Sequence, residues 1–369
     1  MDFEALKALG WRAHFADQLT QEDSGLKPAR TPARVPARVP ARVVREDVNR
    51  YHLLYEGGAA FGVLSRRLRG ESASRGDLPA VGDWVLCTPA DQGFVIERTL
   101  ARFSKFSRKV AGDRFEEQVV AANIDTVFIV TGLDDNFSPG RIERYLMLAF
   151  SSGATPVIVL NKADLADDLE KYLERLAPIV MGTPVHVISA LEGDGLAELE
   201  SYMQEGHTVA LLGSSGVGKS TIINAILGYQ RFDTGEVRQG DSRGRHTTTF
   251  RELCVADTGG LLIDTPGMRE IQIWAPDASL ASSFEDVESL AMRCRFTDCA
   301  HESEPGCAVR EAIESGDLEE SRLRSYKKFG KELEHFAEKQ DASVRAERKV
   351  SRKKFTKTIR KRPTKRDLS

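Results

Sequence analysis

Residues 213–220, Gly-Ser-Ser-Gly-Val-Gly-Lys-Ser, follow the apolar run His-Thr-Val-Ala-Leu-Leu at 207–212 and open a helical stretch at 219–228. Few sequence features restrict a fold as strongly. The spacing G-x-x-x-x-G-K-[ST] lets the backbone curl so that successive N–H groups converge on phosphate oxygens, with the positive end of the following helix behind them. Such a loop requires a strand before it and a helix after it. A glycine-rich turn matching by chance would require neither. Within the loop, Lys219 is placed to reach the β- and γ-phosphates and Ser220 to bind Mg²⁺.

Four more apolar runs end in polar or glycine-rich loops: 124–132, 155–165, 183–190 and 260–267. Helical stretches at 138–152, 165–178 and 195–204 lie between them. This is a βαβ series around a mainly parallel sheet, whose ligands sit at the carboxyl ends of the strands. At one such end stands Asn161-Lys162-Ala163-Asp164. A carboxylate coplanar with guanine accepts from the ring N–H and the exocyclic amine, whereas adenine would leave it unpaired. Asn161 would tether the loop, and the Lys162 stem would cover the base. Ser189-Ala190 falls where a short backbone loop would complete the guanine pocket. At another end, Asp264-Thr-Pro-Gly267 offers Asp264 to Mg²⁺ through water and the Gly267 N–H to the γ-phosphate.

The order of these segments is unusual. An ordinary GTPase runs from P-loop to D-x-x-G to N-K-x-D, but here the guanine loop and Ser189-Ala190 come before the P-loop and D-x-x-G. The stretch at 195–204 runs almost directly into the strand at 207–212, joining what are usually the two chain ends. Termini often lie close together, so the rewiring preserves the sheet. The chain reads as a circularly permuted GTPase.

Residues 234–250, polar and glycine-rich, have the character of a switch that orders on GTP. One of Thr247, Thr248 and Thr249 should bind Mg²⁺, with Thr248 favoured. Met268 follows D-x-x-G where many GTPases place a water-orienting glutamine, and a thioether cannot do that work. His246 is the candidate replacement for positioning or deprotonating the attacking water. Its alternative role is packing or RNA contact.

Of five cysteines, three crowd into 294–307. Cys294, Cys299, His301 and Cys307 would give three thiolates and one imidazole, a closed tetrahedral shell for structural Zn²⁺ with no open position for catalysis. Cys87 and Cys254 lie in strand-like runs and read as buried apolar residues.

Short alternating segments from Val43 to about Lys109 fit a small β-barrel, an OB-fold leading other small barrels, with the arginine-rich stretches 66–69 and 98–108 supplying positive charge. Upstream, residues 1–27 hold one amphipathic helix with Phe3, Leu6, Leu9 and Trp11. Pro-Ala-Arg recurs at 28–30, 32–34, 36–38 and 40–42 and reads as an extended spacer. The formal charge of the 369 residues is only −3, yet between Arg345 and Arg366 twelve Lys or Arg face one acid, Glu347. That +11 tail leaves −14 on the remainder, the asymmetry of an arm that meets a polyanion or of a solvated tail that aids solubility. No apolar run approaches the roughly 18–20 residues that cross a bilayer, and the N-terminus lacks the pattern of a secretory signal. A bacterial-style cytosolic protein is expected.

The segments NKAD, GSSGVGKST, GRHTTT, IDTPGMRE and CRFTDCAHESEPGCAV together resemble the ribosome-small-subunit-dependent GTPase A family (RsgA, also called YjeQ) over roughly residues 43–330. The resemblance implies a multidomain chain: an N-terminal OB-fold β-barrel, a central circularly permuted α/β P-loop GTPase domain and a C-terminal helical zinc-binding domain. Taken with the composition shifts along the chain, the expected units are an N-terminal helix and linker at 1–42, the barrel at 43–109, the GTPase domain at 110–274, the zinc-binding domain at 275–344 and a basic tail at 345–369. Nucleotide contacts carry over to Asn161, Lys162, Ala163 and Asp164, and to Gly213, Ser214, Ser215, Gly216, Val217, Gly218, Lys219, Ser220 and Thr221. Zinc ligands carry over to Cys294, Cys299, His301 and Cys307. The family also implies binding to the small (30S) subunit and its 16S rRNA, subunit-stimulated GTP hydrolysis and a role in late maturation alongside other assembly factors. The expected cofactors are one structural Zn²⁺, and Mg²⁺ with GTP. A cytoplasmic monomer without membrane contact is expected. Two rival classes are a metabolic kinase or ATPase, which Asn161–Asp164 argues against, and an RNA scaffold with a vestigial site, which Lys219, Ser220 and Asp264 argue against.

Overall fold

The computed structural model describes residues 4–19, 38–72, 74–109, 117–180, 182–231, 251–264, 284–318 and scattered positions to 334. Five strands open the fold: β1 (Val39–Asp47), β2 (Arg50–Tyr55), β3 (Gly58–Leu64), β4 (Trp84–Ala90) and β5 (Gly93–Thr99). They pair in the order β1-β2-β3-β5-β4, and β4 returns to β1, so the ring closes and leaves no edge inside it. Ala41, Val43, Tyr51, Leu53, Val85, Cys87, Phe94 and Ile96 alternate inward to fill it. A short helix, α3 (Arg66–Glu71), follows β3 and is capped by Ser65.

Three sequence expectations change here. The N-terminal helix is two short ones, α1 (Glu4–Lys7) and α2 (Ala13–Ala16), because Gly10 between them takes φ +85 and carries the chain around Arg42. Leu6, Trp11 and Phe15 pack on Trp84, Leu86 and Leu100 outside the barrel. The last Pro-Ala-Arg unit, 40–42, is not spacer: it lies in β1, and Arg42 is buried at 1% exposure. The arginines of 98–108 are only partly available as positive charge. Arg102 pairs with buried Asp83 at 2.7 Å and donates to Gly76 O and Leu78 O, while Arg98 donates to Gln18 O. Arg66, Arg67 and Arg69 stay exposed.

A hairpin that the sequence reading did not separate, β6 (Lys105–Lys109) with β7 (Glu117–Ala122), leads to the parallel strands β8 (Thr126–Gly132), β9 (Thr155–Asn161), β10 (Val185–Val187), β11 (Thr208–Leu212) and β13 (Leu261–Asp264). Their order is β10-β9-β8-β11-β13, and β12 (Glu252–Val255) adds antiparallel to β13. Helices α4 (Pro139–Ser152), α5 (Leu169–Val180), α6 (Leu196–Glu200) and α7 (Lys219–Leu227) cover the faces. Successive residues of β8 feed opposite layers: Val127 and Ile129 join one core with Ile142, Leu146 and Leu176, and Phe128 and Val130 join the other with Ile222 and Ile226. The pairing Arg45↔Glu252 links β1 to β12, so barrel and nucleotide-type sheet form one continuous ladder.

The C-terminal part holds α8 (Glu285–Ala291) and α9 (Ala308–Ser315), whose shared core of Phe284, Val287, Cys307, Val309, Leu323 and Phe329 also takes in Met147 of α4. Among the described residues no helix is long and apolar enough to cross a membrane.

Candidate functional site

β11 lies between β8 and β13 in parallel register, Ala210 opposite both Val127 and Ile263. The loops at 213–218, 132–136 and 161–164, and Asp264, therefore gather at one edge, the carboxyl ends of adjacent strands. Gly213 and Gly218 are dictated by close approach. A Cβ at Gly213 would stand 2.4 Å from Val130 O, and one at Gly218, at φ +92, would stand 2.2 Å from Asn161 Nδ2. Lys219 opens α7 and donates from Nζ to Gly213 O (2.9 Å) and Ser214 O (2.6 Å). Those carbonyls hold the ammonium over the loop that would receive an anion.

Asn161 joins three loops. Its Nδ2 donates to Val217 O at 2.8 Å and its Oδ1 accepts the Ala190 N–H at 3.0 Å. Ser189 Oγ donates to Asp164 Oδ1 at 2.5 Å, aligning a carboxylate on an exposed residue. The structure thus brings 161–164, 189–190 and 213–218 together. Ser220 and Thr221 lie in the first turn of α7, and Asp264 ends the neighbouring strand, the placement in which hydroxyl and carboxylate suit a hydrated divalent cation beside a phosphate. His246, Thr248 and Gly267 lie outside the described residues.

Sequence reasoning missed Asp134. It follows β8, and its Oδ2 takes the Lys162 ammonium at 2.7 Å while Oδ1 accepts the Asn136 N–H at 2.9 Å. Burial pushes its carboxyl up, but the lysine and the N–H outweigh that and hold it below the usual range. Lys162 sits at φ +65, and Asp134 fixes the direction of its stem. The available signal was positional: Thr-Gly-Leu-Asp-Asp closes an apolar strand as the other site loops do.

The second constellation lies in the loop between α8 and α9. One donor atom each from Cys294, Cys299, His301 and Cys307 falls within 4.8 Å of all the others. Cys294 Sγ is 3.9 Å from Cys307 Sγ, and His301 Nδ1 is 3.7 and 3.4 Å from the same two sulfurs. Bonds of about 2.3 Å to sulfur and 2.0 Å to nitrogen make tetrahedral edges of about 3.5–3.8 Å, so the donors fit one small dication. Burial and Lys327 lower the His301 pKa and keep a neutral imidazole. Burial raises Cys294, but the N–H groups of Val309 and Ala308 at the start of α9 outweigh it and favour thiolate. Burial and its neighbouring thiols push Cys299 up to about 11, a repulsion a dication would remove. Glu304 braces the loop by accepting the N–H groups of Ala300, Glu302 and Ser303. Those bonds draw its carboxyl down to about 2, so the brace is complete above the ordinary value near 4.5 and is lost as pH falls toward 2.

The family model described as RsgA GTPase matches residues 99–274. A small ribosomal subunit biogenesis GTPase RsgA 1 from Oceanobacillus iheyensis is 44% identical, over 85% of this chain and 90% of its own length. A small ribosomal subunit biogenesis GTPase RsgA from Opitutus terrae is 47% identical over 80% and 84%. The crystal structure of YjeQ from Thermotoga maritima superposes with a TM-score of 0.61 at 31% identity, covering 80% of this chain and 98% of that one. YloQ, described as a circularly permuted GTPase, shares the fold at 23% identity and a TM-score of 0.58. With this sheet order, this permutation and relatives of that similarity over most of its length, the chain belongs to the RsgA GTPase family.

Proposed function

We propose that this chain is a GTP hydrolase of ribosome biogenesis: it binds the small ribosomal subunit and its 16S rRNA, assists late maturation, hydrolyses GTP to GDP and phosphate faster on the subunit, and leaves afterwards. The observation that carries the nucleotide reading is Asn161, whose one amide ties the guanine-type loop to the P-loop and to Ala190. Asp164 selects guanine, Lys162 covers it, and Gly213–Thr221 cradle the phosphates. Ser220 and Asp264 would hold Mg²⁺, with Thr248 closing over it from the switch; the ion supplies charge neutralisation at the β- and γ-phosphates. The Gly267 N–H meets the γ-phosphate. His246 orients the water whose oxygen attacks the γ-phosphorus as the bond to the GDP oxygen breaks.

Cys294, Cys299, His301 and Cys307 hold one structural Zn²⁺. The ring order β1-β2-β3-β5-β4 supports an OB-fold reading of the barrel, and the exposed Arg66, Arg67 and Arg69 suit a phosphate backbone. The functional units are a barrel that opens with β1 at Val39 rather than at 43 and runs to 109, then 110–274 and 275–344. The arm at 345–369 lies outside the described residues and is proposed to grip rRNA. The protein works in the cytoplasm as a monomer, beside other small-subunit assembly factors.

Hydrolysis measured with and without small subunits tests the reading. Stimulation by subunits and competition by GTP but not ATP are expected. A rate that is negligible in both conditions would leave only a scaffold, and competition by ATP would point to a kinase or ATPase. His246→Ala should lower turnover about a hundredfold with GTP affinity within about twofold. Elemental analysis should find one zinc per chain.

A further inference from the structure

Helix α4 carries two unrelated loads within one turn. Arg141 Nη1 donates to Ser214 Oγ, the second residue of the phosphate loop, at 2.9 Å. Two residues later Glu143, 4% exposed, takes Nη1 of Arg322 at 3.0 Å. Arg322 is itself 3% exposed, grips Asp286 through Nε (2.9 Å) and Nη2 (3.1 Å), and stacks 4.1 Å over the Phe284 ring. Met147, one turn after Glu143 on the same face, is buried in the C-terminal core with Phe284, Val287 and Cys307. One flank of α4 therefore belongs to the Cys/His region and the opposite flank to the phosphate loop. Residues two apart differ by about 200° around a helix and about 3 Å along it, so the flanks move as one body.

The phosphate loop is clasped at both ends. Asn161 holds Val217, on the side of the base, and Arg141 holds Ser214, where Lys219 also rests. The second clasp is a cation beside the first half of the loop, which on the GTPase reading would meet the outer phosphates. A buried ion pair gains little stability over apolar packing because both charges are desolvated. Its distinctive contribution is direction: Glu143 and Arg322 admit one angle of α4 against the C-terminal region.

We infer that Arg141 is a positioning residue for the phosphate loop, and that the C-terminal Cys/His region sets its place through Glu143 and Arg322. This inference rests on the GTPase reading above. Docking the C-terminal region then tunes how the loop receives the γ-phosphate, by a route that lies wholly in the described residues and does not pass through the switch.

The test uses the full-length, zinc-containing protein and measures binding of GDP and of a non-hydrolysable GTP analogue, together with turnover. Arg141→Gln and Ser214→Ala should weaken the analogue about fivefold more than GDP and slow turnover about tenfold. Arg141→Lys, which restores the charge, should recover most of the loss. The paired swap Glu143→Leu with Arg322→Met leaves no lone buried charge. It should reproduce the selective loss with zinc content unchanged, and combining it with Arg141→Gln should add nothing. Arg322→Lys, which keeps the charge and loses the fork, replaces the swap if that protein does not fold. Equal weakening of GDP and analogue by Arg141→Gln would overturn the positioning role, and an additive swap would overturn the coupling. A wild-type protein that hydrolyses no GTP would instead sink the functional reading beneath both.

Discussion

Two buried arginines join the parts of this molecule, and they are satisfied in opposite ways. Arg42 holds the barrel to the nucleotide-type sheet with neutral acceptors: the carbonyls of Leu9, Gly82 and Asn123 and the hydroxyl of Thr208. Burial pulls its guanidinium down to about 9, with the nearby Asp125 charge opposing that fall. Arg322 holds the C-terminal region to α4 with two carboxylates, Glu143 and Asp286, and Asp286 keeps 40% of its side chain in water. Three backbone carbonyls and one hydroxyl, drawn from four segments, have no substitute donor, so the first joint is permanent. In the second, water can take over one partner, and that lowers the cost of letting go.

Three substitutions test how differently the two joints are held. Arg42→Ala strips four buried acceptors and should cost about 4 kcal/mol, splitting thermal unfolding into separate barrel and sheet transitions. A single unshifted transition would show that the joint is not held by this side chain. Arg322→Ala strands Glu143 without a partner, and a loss of about 3 kcal/mol is expected in denaturant titration, confined to the C-terminal region. Asp286→Asn removes only the wetter partner. It should cost about 0.5 kcal/mol or less, and a cost as large as that of Arg322→Ala would mean that water does not share this joint.

The sheet and the strand-end loops were legible in the sequence because their chemistry is local. A P-loop states its strand, its glycines and its lysine within eight residues, and the order of 161–164 before 213–220 states the permutation. The fate of individual arginines was not legible, because it depends on partners far along the chain. Arg42 read as the end of a proline-spaced repeat, yet its acceptors lie as far away as Thr208. Arg102 read as surface charge, yet Asp83 consumes it. Gly10 sat inside an amphipathic pattern whose helix it interrupts, because the space its missing side chain leaves is filled by Arg42. Asp134 carried no motif at all, and only the fold places it on Lys162.

The permutation also decides where the appended parts join the sheet. The barrel enters the sheet at β8 and the chain heads for the Cys/His region from β13, the two strands that flank β11. The β1–β12 pairing gives the barrel a second hold on the β13 side, so the two appended parts bracket the central strand from both neighbours. The phosphate loop, at the tip of β11, therefore lies between the two points at which the appended parts join the sheet.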